Sequence, residues 1–420
     1  MKKVRTPLAA IVLGSAGAFV FIAGSAAVVI RGEPAPAEAP VEAPAVATRP
    51  TAAPEPLDEA SLERTEITSA PTPTNSNLNF AAIRSEQPSD QVQCGTPPER
   101  LTSSKGGPVP IIFDTDFGPD VDDVGALAIL HSMADRGEAE ILGVMVSTSG
   151  DGDRPAAVDV INTYYGRPDI PIGLADPSAP SFGSTYTAQI ASLFENDELP
   201  NPGATSLYRR ILAAQPDNSV TIVSVGFKSN LDDLLLSSPD EYSPLYGADL
   251  VAEKVKLWVA MAGQFPNSEE NREFNLATDT RASIITTALW PTPVVFSGFE
   301  VGSAILTGGV LQTAVPEDNP VREAYRLYTG GDDRQSWDLT AVWYAVRGST
   351  EFFDTCSGRI QVNADGSNGW DPNASGHAFL RMRVGADRVA KALDELLVTP
   401  PASRTVSNDE VTVERPSETD

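Results

Sequence analysis

Apolar residues along this chain come in short runs, each followed by a polar loop and then by a stretch with helical spacing. Runs at Val109–Phe113, Ala139–Ser147, Ser219–Val225, Val255–Met261 and Pro293–Ser297 read as buried strands, each bounded by turn-forming residues. Helical patterns follow, as in Val124-Gly-Ala-Leu-Ala-Ile-Leu130 and Leu339–Val346. A further strand-like segment, Ala378–Met382, lies near the end. This alternation predicts an α/β fold, a mostly parallel sheet with helices on both faces. Ligands in such folds bind beyond the carboxyl ends of the strands. The suggestive polar groups stand there: Asp114–Asp123, Ser149-Gly-Asp151, Gly226-Phe-Lys-Ser-Asn230, and Gly263 to Asn275. Four post-strand loops with functional groups point to one composite site.

The ends of the chain follow other patterns. Met1-Lys-Lys-Val-Arg5 is basic, and Pro7 to Ile30 is almost wholly apolar. A run of about 24 residues is long enough to span a bilayer as a helix, so 1–31 is expected to be a signal-anchor transmembrane segment. A cleaved signal peptide is the rival, although its apolar region usually covers only about 7–15 residues. From 32 to 93 the chain is rich in Pro, Ala and Glu, as in Glu33-Pro-Ala-Pro-Ala-Glu-Ala-Pro40. Such a segment buries too little apolar surface to offset its ordering entropy and is expected to be a disordered tether. The globular domain is then 94–398, and 399–420 a disordered acidic tail. This arrangement places the domain outside the cytoplasm, anchored in the membrane or secreted after cleavage.

Composition narrows the partners. The 420 residues are 41% hydrophobic, with a net charge of −27 and a pI near 4.4. An anionic surface disfavours nucleic-acid polymers and anionic membranes, and leaves small molecules open. Cys94 and Cys356 are the two cysteines. Outside the cytoplasm they are able to pair, and two separate thiols is the other reading.

Asp114-Thr-Asp-Phe-Gly-Pro-Asp-Val-Asp-Asp123 packs five carboxylates into one loop between a strand and a helix. Clustered anions repel unless a cation or protons neutralise them, and oxygen-only ligands suit Ca²⁺ or Mg²⁺. Helix capping by Asp122 and Asp123 is the bland alternative, but capping needs one or two acids.

The motif Asp-Thr-Asp-x-Gly followed by Asp-Asp and an apolar helix resembles the N-terminal signature of the calcium-dependent nucleoside hydrolases. Three later segments arrive in that family's order. Gly226-Phe-Lys-Ser-Asn-Leu231 resembles its Gly-Pro-Leu-Thr-Asn-Leu loop. Met261-Ala-Gly263, Asn267 and Glu273-Phe-Asn275 resemble its Met-Gly-Gly, Asn and Glu-Phe-Asn elements. Ser336-Trp-Asp338 resembles its His-Asp, and the match covers roughly 107–397.

The resemblance implies cleavage of the N-glycosidic bond of a nucleoside or related N-riboside by a water bound to Ca²⁺. Carried over, Asp116 is the general base and a metal neighbour. Asp123 is a metal ligand, and Asp122 touches the metal or the ribose hydroxyls. Ser229 lends a backbone carbonyl to the metal, and Asp338 completes the protein ligands. Asn267, Glu273 and Asn275 hold the ribose, and the family commonly forms dimers or tetramers. A bland role stands beside each: turns for Asn267 and Asn275, a surface ion pair with Arg272 or Arg281 for Glu273, a helix cap for Asp338.

The chain departs from the family in four places. Pro119-Asp-Val121 lengthens the first loop by two residues, so which of Asp120, Asp122 and Asp123 bind metal is open. Asp151 stands about where many members have Asn. Gly226-Phe-Lys replaces Gly-Pro-Leu and puts Lys228 near the site or on its rim. Trp337 occupies the position where many members carry a His that protonates the leaving base. Trp337 is therefore expected to stack on the base, or else to be a packing aromatic. His131 is expected to be a packing or surface residue, while His377, just before Ala378–Met382, could reach the site although nothing in its spacing shows it. Two other classes compete. A haloacid dehalogenase-type hydrolase also begins with Asp-x-Asp, but expects Thr or Val where Phe117 stands. A non-catalytic extracytoplasmic ribonucleoside-binding protein would use the same pocket, yet would have no need of a base at Asp116.

Overall fold

A computed structural model describes residues 94, 107–150, 153–197, 201–266, 272–349 and 351–402, with the backbone of 20–23 and 26–29. The chain divides into two compact units, Met1–Arg84 and Ser85–Asp420. In the first, Val20–Ala23 and Ala26–Val29 pair as antiparallel strands. This differs from the helix expected over 7–30, most of which lies outside the described residues. No described helix is long and apolar enough to cross a membrane. The tether 32–93 and most of the tail 399–420 also lie outside the described residues.

The second unit is built on a nine-stranded sheet. Its strands, numbered here in chain order, are β1 (Val109–Thr115), β2 (Ala139–Val146), β3 (Ile172–Leu174), β4 (Val220–Ser224) and β5 (Val255–Met261). After them come β6 (Val294–Ser297), β7 (Phe353–Val362), β8 (Asn368–Asp371) and β9 (His377–Met382). The spatial order is β8-β7-β9-β6-β5-β4-β1-β2-β3. From β9 through to β3 every pairing is parallel, and only β7 runs antiparallel to its neighbours β8 and β9.

Side chains along the central strands alternate between two apolar layers, as a pleated strand requires. Ile111 and Phe113 face a layer with the helices Asp122–Asp135, Trp337–Arg347 and Ala386–Leu397. Ile112 faces the other, with the helices Ala204–Ala214, Ser229–Leu236 and Gly247–Lys254. Strands buried on both sides need apolar residues at consecutive positions, which is why they stood out as continuous runs. Helix Asp122–Asp135 is buried from Asp122 to Met133, so it is a core element rather than an amphipathic surface helix.

Cys94 and Cys356 form a disulfide, which closes a loop of sequence separation 262 and fastens the domain's entry to β7. Crosslinks across long loops restrict the unfolded chain most. Unfolding by denaturant with and without reductant measures the effect, and reduction is expected to cost about 2–5 kcal/mol. Superimposable curves would show that the bridge contributes nothing.

Candidate active site

A cavity of about 280 Å³ opens beyond the carboxyl ends of the parallel strands. Asp116 follows β1, Val225 follows β4, Met261 ends β5 and Phe299 follows β6, and all four line it. Asp120, Asp122, Glu273, Asn275 and Asp338 complete the polar part of the wall. Aromatic residues Phe274, Phe299, Tyr328 and Trp337 form the rest with Pro119, and Arg334 stands among them.

The first loop turns sharply after β1. Phe117 adopts φ 33°, a left-handed conformation costly for a bulky side chain. Its amide donates to Thr115 Oγ1 and to Asp123 Oδ1, each at 3.1 Å, which fixes the turn and the direction of Asp116. Gly226 lets β4 approach this turn. A Cβ there would lie 2.4 Å from the Asp116 amide nitrogen, so any side chain would push the two strand ends apart. Thr148, following β2, donates its hydroxyl to the Asp116 carbonyl at 2.7 Å.

Two helix N-termini converge on the same point. Asp122 and Asp123 open helix Asp122–Asp135, and Asp338 lies in the first turn of Trp337–Arg347. The Asp338 amide donates to Asp122 Oδ2 at 3.1 Å. Capping does not account for these acids: the N-cap positions are Val121 and Ser336, and neither makes a side-chain cap bond. Oxygens of Asp120, Asp122 and Asp123 lie within 4.8 Å of one another. Asp122 Oδ1 and Asp123 Oδ2 are buried with no hydrogen-bond partner. A buried carboxylate oxygen without a partner is costly, and a hard cation is the ligand that an all-oxygen set accepts. The residues present therefore fit a divalent metal ion. The compact trio brings in Asp120, while Asp116 and Asp338 stand on the wall of the adjoining cavity.

Burial shapes the acids' titration. It pushes Asp116 up to about 8, with Asp120 repelling it further. Burial also holds Asp122, Asp123 and Asp338 well above the usual carboxylate range, with repulsion among the acids adding to it. Asp114 is raised to about 7, but it points to the other side of the sheet. There its Oδ2 accepts from Tyr208 Oη at 2.8 Å and Asn230 Nδ2 at 3.1 Å, so it is no part of the cavity. Lys228 is not on the rim. It is fully buried, its Nζ donates to the Gly226 carbonyl at 2.6 Å, and burial lowers its pKa while Glu273, Asp114, Asp116 and Asp338 raise it.

Glu273 and Asn275 reach the cavity through structural bonds. Glu273 accepts from the amides of Gly263, Asn275 and Leu276, capping helix Phe274–Thr278 rather than pairing with a surface arginine. Asn275 Nδ2 donates to the carbonyls of Val225 and Met261, tying β4 to β5. Ser229 opens helix Ser229–Leu236 and gives its hydroxyl to Asp279 at 2.6 Å; its side chain does not line the cavity. Asn267 and Asp151 lie outside the described residues. Trp337 lines the cavity with its ring stacked on Phe299 at 5.3 Å and its Nε1 donating to the Phe299 carbonyl. Neither histidine reaches this wall. His131 stacks on Tyr165 and bonds Asn162, and His377 bonds the Ile360 amide on β7. Arg334, Tyr328 and Phe299 escaped the sequence reading, because none belongs to an expected motif.

Residues 111–394 match the sequence profile of the inosine-uridine preferring nucleoside hydrolases. The chain belongs to that family. It is an enzyme of the nucleoside hydrolase class, whose reaction is hydrolysis of the N-glycosidic bond. A sequence search of curated proteins finds no match. Among solved structures, an inosine-uridine preferring nucleoside hydrolase from Bacillus anthracis is similar at 15% identity and a TM-score of 0.53, over 69% of this chain and 99% of that one. An inosine-guanosine nucleoside hydrolase is similar at 19% identity and a TM-score of 0.55, over 69% and 98%. A purine-preferring ribonucleoside hydrolase from Gardnerella vaginalis gives 16% and 0.53, over 69% and 98%. At these identities the likeness is one of fold.

The raised pKa values carry a sign. Without a cation, folding makes these carboxylates bind protons, since their unfolded values lie near 4. The stability they contribute is complete below that value and is lost as pH rises through about 7 for Asp114 and about 8 for Asp116. Chelated protein is expected to melt at progressively lower temperature from about pH 5 to 8, with excess Ca²⁺ removing the cavity acids' share of the decline and leaving that of Asp114. A melting temperature that stays level across this range without metal would contradict the assignment.

Proposed function

We propose that this nucleoside hydrolase cleaves ribonucleosides or related N-ribosides with Asp116 as the general base, in a site that holds Ca²⁺. The observation that carries this is the shared cavity: Asp116, Asp122, Glu273, Asn275 and Asp338, from separate stretches of the chain, all line it. Asp116, Asp122, Asp123 and Asp338 would hold the cation, with the Ser229 carbonyl as a further oxygen and Asp120 beside them. A bound calcium ion supplies positive charge that acidifies a neighbouring water and orients the sugar hydroxyls.

The chain's own residues then divide the work. Asp116 takes the proton of the attacking water, and a cation beside it would keep its carboxylate ionised for that task. Glu273 and Asn275, with Asn267, hold the ribose hydroxyls. The backbone bonds of Glu273 and Asn275 fix the rotamers of these two, which lowers the entropic cost of positioning the sugar. The acidic wall favours the cationic sugar that develops as the bond breaks. The Cys94–Cys356 bridge supports an oxidising, extracytoplasmic location.

Incubation of the purified protein with a nucleoside panel, with and without chelator, is expected to release free ribose only where divalent metal remains. Asp116→Asn should lower kcat by about 10²–10⁴-fold while bound calcium is retained. A variant with near-normal turnover would remove Asp116 from the role of base.

A further inference from the structure

The cavity wall has two electrostatic ends. Asp116, Asp120, Asp122, Glu273 and Asp338 make one end anionic, and Arg334 is the sole lysine or arginine among the described lining residues. Breaking an N-glycosidic bond leaves positive charge on the sugar and sends the bond's electron pair onto the base. The acids serve the first charge and oppose the second. Other members answer with a histidine that protonates the base, but both histidines of this chain bond elsewhere.

Arg334 lines the same cavity and is held there between aromatic rings. Its guanidinium carbon lies 4.9 Å from the centroid of Trp337 and 5.3 Å from that of Tyr328, two rings of the same wall. Nη2 donates to Asp120 Oδ2 at 2.9 Å and Nη1 to Gln335 Oε1 at 3.1 Å. Each terminal nitrogen carries two N–H groups, so each keeps one to offer. Nε is buried without a partner. The residue thus presents a fixed donor fork beside the aromatic rings of the wall. The two residues Asp120 and Val121, part of the loop extension, explain the fixture: Asp120 anchors the guanidinium.

We propose that Arg334 binds the departing base in place of a histidine, and selects 6-oxopurine ribosides, whose N7 and O6 both accept hydrogen bonds on one edge. This rests on the nucleoside hydrolase reading above. Water adds its hydroxyl to C1′ of the ribose and its proton to Asp116, while the C1′–N9 electron pair passes to the base. That negative charge delocalises to N7 and O6, where the Arg334 N–H groups meet it. The base then takes a proton from solvent, and the proton held by Asp116 returns to solvent. Adenine offers an amino donor beside N7, and pyrimidines lack the N7 and O6 pair, so the fork fits both less well.

Steady-state kinetics of wild type and Arg334→Gln test this on inosine, guanosine, adenosine, uridine and 4-nitrophenyl riboside, whose leaving group is stable as an anion. Wild type is expected to favour inosine and guanosine over adenosine and uridine by about tenfold or more in kcat/KM. Arg334→Gln should lose about 10²-fold in kcat on inosine and less than about fivefold on the nitrophenyl riboside, because one donor to a developing anion is removed. Arg334→Lys should recover little on inosine, since a point charge lacks the fork. Equal losses on both substrates would assign Arg334 to packing and overturn the proposal, as would a preference for uridine. Cleavage of the nitrophenyl riboside without any nucleoside would retain the reaction and overturn the base assignment. A wild type inert on every substrate would overturn the nucleoside hydrolase reading and this inference with it.

Discussion

Mutual repulsion among buried carboxylates is the constraint on which the rest of this structure turns. Asp116, Asp120, Asp122, Asp123 and Asp338 meet beyond the strand ends, and burial alone would make Asp116, Asp122, Asp123 and Asp338 hard to ionise. The fold supplies partial answers. Two helix N-termini point at the cluster, the Phe117 and Asp338 amides donate into it, Lys228 sits buried nearby, and Arg334 takes one oxygen of Asp120. Two oxygens remain without partners, on Asp122 and Asp123. Such a site stays protonated or takes a cation, and that choice couples metal, pH and stability.

The sheet exists, in this sense, to hold those groups together. Parallel strands end on one side, so residues far apart in sequence arrive side by side. Gly226 permits β4 to touch the Asp116 turn, and Asn275 bridges the ends of β4 and β5. Glu273 serves twice, as a helix cap and as part of the cavity wall. Rigid supports of this kind hold the polar groups of the cavity wall in fixed positions.

Much of this was legible in the sequence, and for physical reasons. Doubly buried parallel strands need unbroken apolar runs, so β1, β2, β4, β5 and β6 were visible; at Val255–Met261 expectation and strand coincide. The carboxylates of Asp116, Asp122, Asp123 and Asp338 stood in ordered motifs and converge. Asp114 did not join them, because strand alternation turns it to the opposite face toward Tyr208. The three-residue β3 and the antiparallel β7 and β8 carried no such run, and their pairing is set by tertiary neighbours. Of the two places open to Lys228, near the site or on its rim, the structure has the first, and the carboxylates around it make its burial tolerable. Arg334 has no motif to betray it, and only the folded cavity brings it to Trp337 and Asp120.

Calorimetric titration of Ca²⁺ into chelator-stripped protein near pH 7, in buffers of different ionisation enthalpy, tests whether the acidic cluster is a cation site. It counts both the ions bound and the protons displaced. About one ion is expected to bind per chain with net proton release, because protonated carboxylates must ionise to bind it. Absence of binding, or binding with no proton displaced, would show that repulsion in the cluster is relieved by the protein alone.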